Sequence, residues 1–167
     1  MEREVDIELI SDGKRYLSND LVKLECEECK GCSDCCKDMG DSILLDPYDV
    51  FMLTVHLKRT FESFLDQEIS LGVIHQVILP HLKMCQEELN CSFLSEDGRC
   101  KIHSIRPGFC RLFPLGRIYE NDSFSYFHQN TACTKGGKSK TKIKKWLGIP
   151  NLSAYEAFIR SEEHTSE

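Results

Sequence analysis

Apolar positions along the chain come in short runs separated by polar turns, and the runs switch between the two-residue period of a strand and the longer period of a helix. Residues 21–25 lead into a polar, cysteine-dense loop. Residues 43–45, Ile-Leu-Leu, read as a short strand and are followed at once by helix signals: Asp46 as N-cap, Pro47 at the first helical position and Asp49 in the first turn. Val50, Leu53, Thr54 and Leu57 then share one face, which Phe51 widens. A second short helix opens at Thr60 and turns Phe61, Phe64 and Leu65 inward, so the two helices are expected to pack as a pair. Residues 73–79 are apolar and β-branched and predict a strand ending at Pro80, with partial helix over 69–78 as the alternative. Phe93 and Leu94, the Glu-Asp-Gly-Arg turn at 96–99 and residues 100–103 predict a hairpin, because Asp97-Gly98 supplies the positive backbone angles of a tight turn. A second hairpin spans 116–127 and turns at 120–123. Ser139 is placed to cap a basic helix that Gly148 and Pro150 stop after Leu147, and Asn151 to cap a final helix through Ile159.

Short helices and hairpins in 167 residues predict a small α+β single domain, long enough to bury a core without covalent staples. Residues 1–25 form a lead-in and 26–159 the domain. Residues 160–167 are expected to be a non-native tail, because a common sequencing-adapter oligonucleotide encodes these eight residues when translated, and His164 is given no role. Hydrophobic residues make up 41% of the chain and charged residues 29%, with a formal net charge of −6, so general nucleic-acid affinity is not expected. The six lysines between 135 and 145 read as the wet face of an amphipathic helix whose inward residues are Ile143, Trp146 and Leu147, against the alternative of an acidic partner or RNA. The acidic start lacks the basic patch and apolar stretch of a secretory signal. The longest apolar-rich stretch, 43–57, is broken by Asp46, Pro47, Asp49 and His56, so no bilayer crossing is expected. A soluble cytoplasmic protein is the expectation.

Ten cysteines change the picture. In a reducing compartment thiols stay available to metals instead of pairing as disulfides. Cys29, Cys32 and Cys35 stand three apart, so one short loop can aim three sulfurs into a pocket. Ferredoxin-type [4Fe–4S] sites use the same CxxCxxC wrap with a remote fourth cysteine. Structural zinc more often takes two separate CxxC knuckles, and the downstream Cys91, Cys100, Cys110 and Cys133 form none. The spacing therefore favours an iron–sulfur cluster and leaves zinc or mononuclear iron open. Neighbouring side chains diverge, so one of Cys35 and Cys36 is expected to serve a second metal or an outer role. Cys85, on an apolar stretch, is expected to fill core. Arg106 and Arg111 flank Cys110 and are candidate cofactor-binding cations that offset thiolate charge by donating to sulfur or nearby carbonyls. Pro107 and Pro114 would stiffen the backbone on either side. His75, His81, His103 and His128 lack ligand spacing and read as satisfied or solvated, with His103 set apart because it follows Cys100 by three residues.

From Cys29 to about Ile159 the chain resembles the YkgJ-type cysteine-cluster family of zinc- or iron-chelating CxxCxxCC domains, which includes the flagellin lysine N-methylases. The matching pieces are Cys29-Lys-Gly-Cys32-Ser-Asp-Cys35-Cys36, Cys91-Ser-Phe-Leu94, Cys100-Lys-Ile-His103 and Arg106-Pro-Gly-Phe-Cys110-Arg-Leu-Phe-Pro114. Ser33 departs from the glycine the family commonly carries there, and Cys26 and Cys85 lie outside its pattern. The resemblance implies a metal set of Cys29, Cys32, Cys35, Cys36, Cys91, Cys100, Cys110 and Cys133, in one site or two. It implies metal binding more firmly than catalysis. Three functional classes stay open: a metal-binding module, a cluster-dependent enzyme such as a protein-lysine N-methylase or oxidoreductase acting on a protein substrate or redox partner, and a thiol redox sensor.

Overall fold

A reciprocal cap starts the longest early helix. Asp46 is extended at φ −80° and ψ 169°, its carboxylate accepts the Asp49 amide at 2.7 Å, and the Asp49 carboxylate accepts the Asp46 amide at 3.3 Å. Pro47 occupies the first turn, where its missing N–H costs nothing, and Lys58 closes the helix in the left-handed region at φ 53°.

The computed structural model describes residues 7–24, 33–65, 67–74, 76–85, 89–121, 123–130, 132–133 and 139–163. Its elements run α1 (Ile7–Ile10), β1 (Leu21–Lys23), a 3₁₀ turn at Asp34–Cys36, α2 (Pro47–Leu57), α3 (Glu62–Leu65), β2 (Ile69–Ile74), β3 (Val77–Leu82), a 3₁₀ turn at His103–Ile105, α4 (Gly108–Leu112), β4 (Leu115–Glu120), β5 (Ser123–His128), β6 (Lys140–Lys142), α5 (Ile143–Leu147) and α6 (Leu152–Glu163). The class is α+β, with three two-stranded antiparallel sheets: β1 with β6, β2 with β3, and β4 with β5. The chain divides into two compact units, Cys29–Arg111 and the combination of Met1–Glu28 with Leu112–Glu167.

In the Cys29–Arg111 unit, Ile43, Leu45, Leu53, Phe64, Ile69, Leu82, Cys91, Phe93, Ile102 and Ile105 form one buried apolar cluster. Four expectations shift here. Phe51 does not widen the buried face of α2; it is exposed, and Asp49 and Leu53 are the buried residues. The inward residues of the two helices, Leu53 and Phe64 among them, do join this one cluster, and α2 also meets the 3₁₀ turn at His103–Ile105 and α3 the strand β2. Residues 69–82 form a hairpin in place of a single strand, because Gln76 takes φ 66° and reverses the chain, pairing Ile69 with Leu82 and Val73 with Ile78. Pro80 lies inside β3, where Leu45 donates to its carbonyl at 2.9 Å and no return bond from Pro80 is possible. Residues 43–45 do run as an extended edge along β3, with Leu44 bridged to His81 and Leu82 donating to Ile43 at 3.0 Å. Cys85 is exposed and fills no core: it closes a turn by donating to Asn90 and accepting from Leu89.

In the other unit the 115–128 hairpin forms in the expected register, Glu120 opposite Ser123 with Asn121 at φ 51°. The chain ahead of β1 lies along it through bridges at Ser11 with Gln129 and Tyr16 with Tyr126. Lys140–Lys142 is a strand and not the first turn of a Ser139-capped helix, because Leu21, Val22 and Lys23 pair with it and Asp20 accepts the Ile143 amide at 3.1 Å. The helix that follows buries Ile143 and Leu147, Trp146 Nε1–H donates to the Phe113 carbonyl at 3.1 Å, and Gly148 closes it at φ 59°. Tyr126 donates to Glu156 at 2.9 Å, tying α6 to the hairpin.

Gly116 is needed for close approach: a Cβ there would stand 2.2 Å from two ring carbons of Phe127, which is itself buried. Gly116→Ala is expected to lower unfolding free energy by about 1–3 kcal/mol, the cost of overpacking. A chemical-denaturation midpoint unchanged from wild type would contradict this packing.

Candidate metal centre

Backbone hydrogen bonds bring the downstream cysteines to the N-terminal loop one step at a time. The 3₁₀ turn is closed by the Cys36 amide donating to the Ser33 carbonyl at 2.8 Å. Just beyond it, residues 36–38 run antiparallel to 89–91: Cys91 donates to the Cys36 carbonyl at 2.7 Å, Asp38 donates to Leu89 at 2.8 Å, and Lys37 bridges Asn90. Leu94 donates to Cys91 at 2.8 Å to turn the chain, and the bridge from Leu94 to Cys100 returns it across the Gly98 turn. His103 then donates to the Cys100 carbonyl at 3.2 Å and begins the approach to α4, which carries Cys110. Cys91 is 5% exposed within the apolar cluster, and Cys36, Cys100 and Cys110 are half-buried against it.

The sulfurs feel one another. The Cys36 thiol hydrogen-bonds Cys35 and holds its ionisation down to about 7, against burial, with the Cys35 backbone amide and the Arg106 guanidinium adding smaller pulls the same way. The same hydrogen bond raises Cys36 strongly, followed by burial and by repulsion from Cys35, Cys100 and Cys91. Burial first, then Cys100, Cys85 and Cys35, pushes Cys91 up. Cys110 is raised strongly by burial, then by Cys91, Cys100, Cys35 and Asp49. Five thiols, Cys35, Cys36, Cys91, Cys100 and Cys110, therefore form one electrostatic cluster in which each anion is unfavourable to the next. A bound cation relieves that repulsion, and soft sulfur donors suit zinc, copper(I) or iron–sulfur centres.

Among the described residues, no three His, Cys, Asp or Glu side chains stand in an arrangement that could hold a metal ion. Cys29 and Cys32 lie outside the described residues, as does Cys26. Cys133 belongs to the other unit and is half-buried. All seven described cysteines are reduced thiols.

The two arginines divide their work. Arg111 donates from Nε to the Arg106 carbonyl at 2.9 Å and from a terminal nitrogen to the Ser104 carbonyl at 2.7 Å, so it clamps the turn before α4. Arg106 donates to His103 Nε2 at 2.6 Å, while its own Nε is buried without a hydrogen-bond partner among the described residues. An orphaned donor on the cation that pulls Cys35 down fits a thiolate-held metal, whose sulfurs accept such bonds. The lone pair on His103 Nε2 is engaged by Arg106. His81 is buried, with Nδ1 3.5 Å from Asp41.

Asp49 is the residue sequence reasoning placed only as a helix-start acid. It is 4% exposed, accepts the Gly108 amide at 2.8 Å, and is raised to about 7 by burial and then by the neighbouring Asp46 charge, with the Gly108 and Asp46 amides pulling the other way. The sequence signal was an acid at the third helical position on a face otherwise apolar; its partner lies 59 residues away.

In metal-free protein, Cys35 should be the first of the described thiols that iodoacetamide traps, with a midpoint near pH 7, because only the thiolate reacts and its folded ionisation lies below the usual thiol value of about 8.5. Cys36→Ala removes the donor and should move that midpoint up; mass-spectrometric mapping across pH 5–10 reads both. A Cys35 midpoint unmoved by the substitution would contradict the hydrogen-bonded pair.

No curated protein and no solved structure matches the chain. One family model does, over residues 28–141, and its description is "CxxCxxCC: Putative zinc- or iron-chelating domain". The match takes in the amino-terminal cysteine loop, the Cys91 to Cys110 segment and Cys133, and this chain belongs to that metal-chelating CxxCxxCC family.

Proposed function

We propose that this protein holds an iron–sulfur cluster, of the [4Fe–4S] kind, through thiolates of the amino-terminal loop and of the downstream segment, and serves as a cluster-bearing module in the reducing cytoplasm. The observation that carries this reading is the five-thiol cluster: Cys36 and Cys91 are hydrogen-bonded through their backbones, Cys100 and Cys110 pack on the same apolar group, and Cys35, Cys91 and Cys100 raise the ionisation of both Cys36 and Cys110. Such a set is costly to deprotonate without a cation and favourable with one. The CxxCxxC spacing of Cys29, Cys32 and Cys35 supports a cluster over a lone zinc, since a cube offers separated iron corners to one encircling loop. Bound there, a cluster would supply one-electron redox chemistry, and a protein redox partner is the partner class that suits it.

The chain's own part is to present and neutralise sulfur. Arg106 offers an unsatisfied Nε–H and a positive charge that favours the Cys35 thiolate, Arg111 fixes the turn from which Arg106 projects, and the apolar cluster keeps water from Cys91. Site formation and folding are therefore expected to be linked.

Anaerobic purification followed by iron, sulfide and zinc analysis and a visible spectrum tests the proposal. Iron and acid-labile sulfide in similar amounts with a brown chromophore is the expected outcome; zinc without sulfide would overturn it. Cys91→Ser and Cys110→Ser should each lose more metal affinity than the roughly 10–100-fold that changes around a ligand shell cost. Treatment with chelator should lower the melting temperature, since metal at a thousandfold its dissociation constant stabilises a folded site by about 4 kcal/mol. Equal melts with and without chelator would contradict the linkage.

A further inference from the structure

We propose that Asp49 is a positioning residue for Cys110: from α2 it fixes the first turn of α4 and so the direction in which Cys110 presents its sulfur. This rests on the reading of Cys110 as a metal ligand.

A capping box does not require burial. An acid at the third helical position can return a hydrogen bond to the N-cap from the surface, at no desolvation cost. Asp49 is buried nonetheless, and its carboxylate divides its oxygens: Oδ2 accepts the Asp46 amide at 3.3 Å, while Oδ1 crosses to the Gly108 amide at 2.8 Å. Gly108 is the first residue of α4, and the opening N–H groups of a helix have no partner inside it. A buried amide there needs an acceptor from elsewhere in the fold. In a helix of five residues, little internal hydrogen bonding fixes the orientation, and the Arg111 amide to the Pro107 carbonyl at 2.9 Å is its first-turn bond. External ties therefore set where α4 points. Asp49 holds the start, and the Arg111 guanidinium holds the later turn to the Arg106 and Ser104 carbonyls. Cys110 lies between the two ties, two residues after Gly108 and one before Arg111.

Charge and geometry predict opposite outcomes. The Asp49 charge adds to burial and the other thiols in disfavouring the Cys110 thiolate, so an electrostatic role alone would make metal binding tighter once the charge is removed. A positioning role makes it weaker: a carboxamide has one acceptor oxygen and a donor where the second stood, so it cannot accept from Gly108 and Asp46 together, and the ligand is no longer held where the metal needs it.

The test is a double-mutant cycle on the full chain with cobalt(II) as probe: wild type, Asp49→Asn, Cys110→Ser and the pair, each confirmed folded by far-UV circular dichroism. Asp49→Asn should weaken cobalt binding about tenfold, the lower range for residues that orient ligands, and reduce the thiolate-to-cobalt charge-transfer band. In the Cys110→Ser background the same substitution should change affinity less than twofold, because the coupling runs through that sulfur. Unchanged or tighter binding by Asp49→Asn would overturn the proposal, as would an equal loss in both backgrounds, the mark of a general structural role. If Cys110→Ser binds as wild type does, the ligand reading fails first and the inference with it. Should Asp49→Asn not fold, Asp49→Glu keeps the charge, moves the carboxylate by one methylene and runs through the same cycle. A loss confined to the background with Cys110 intact supports positioning, and no such loss refutes it.

Discussion

The hydrogen bond from the Cys91 amide to the Cys36 carbonyl, 2.7 Å long, joins the amino-terminal cysteine loop to a segment more than fifty residues later. Much of the site depends on that junction. It lays residues 36–38 against 89–91, and the turn at 91–94 and the bridge from Leu94 then deliver Cys100 to the same apolar cluster. The backbone thus gathers sulfurs that, as anions, would repel one another. Folding makes this cluster by main-chain hydrogen bonds and apolar burial, and leaves Cys36, Cys91 and Cys110 with raised ionisation that a metal can resolve.

Burial governs the chemistry of the cluster more than any one charge does. It is the leading cause of the raised Cys91 and Cys110 thiols, and the chief exception, Cys35, owes its low ionisation to one neighbouring S–H donor. The two arginines show how side chains of one type divide: Arg111 spends its donors on carbonyls and holds backbone, while Arg106 keeps a buried Nε–H unsatisfied and lends its charge to Cys35. Asp49 belongs with Arg111, as a charged group whose use is to hold a short helix in place.

Local signals carried much of the fold. Asp46, Pro47 and Asp49 announced α2 because capping is an exchange within one turn, and Asp97-Gly98 and residues 120–123 announced reversals because positive backbone angles are local preferences. Errors came where a tertiary partner outweighed local pattern. Lys140–Lys142 became a strand because β1 needed an edge, and the run at 69–82 became a hairpin although its turn at Gln76 carries no glycine, asparagine or proline signal. Phe51 and Cys85 are apolar by type yet exposed, since helix face and turn geometry decided which way they point.

By itself the sequence determined the family, the α+β class and a cysteine pattern suited to chelation, since thiol chemistry and CxxCxxCC spacing are properties of residue type and short-range order. The tertiary structure alone decided that Cys36, Cys91, Cys100 and Cys110 share one apolar surface, that Cys35 and Cys36 share a hydrogen bond, and that Asp49 reaches Gly108. Apart from the bond between neighbours Cys35 and Cys36, which local turn geometry sets, these are contacts between distant segments, fixed by how the chain crosses itself, and no periodicity along the chain encodes them.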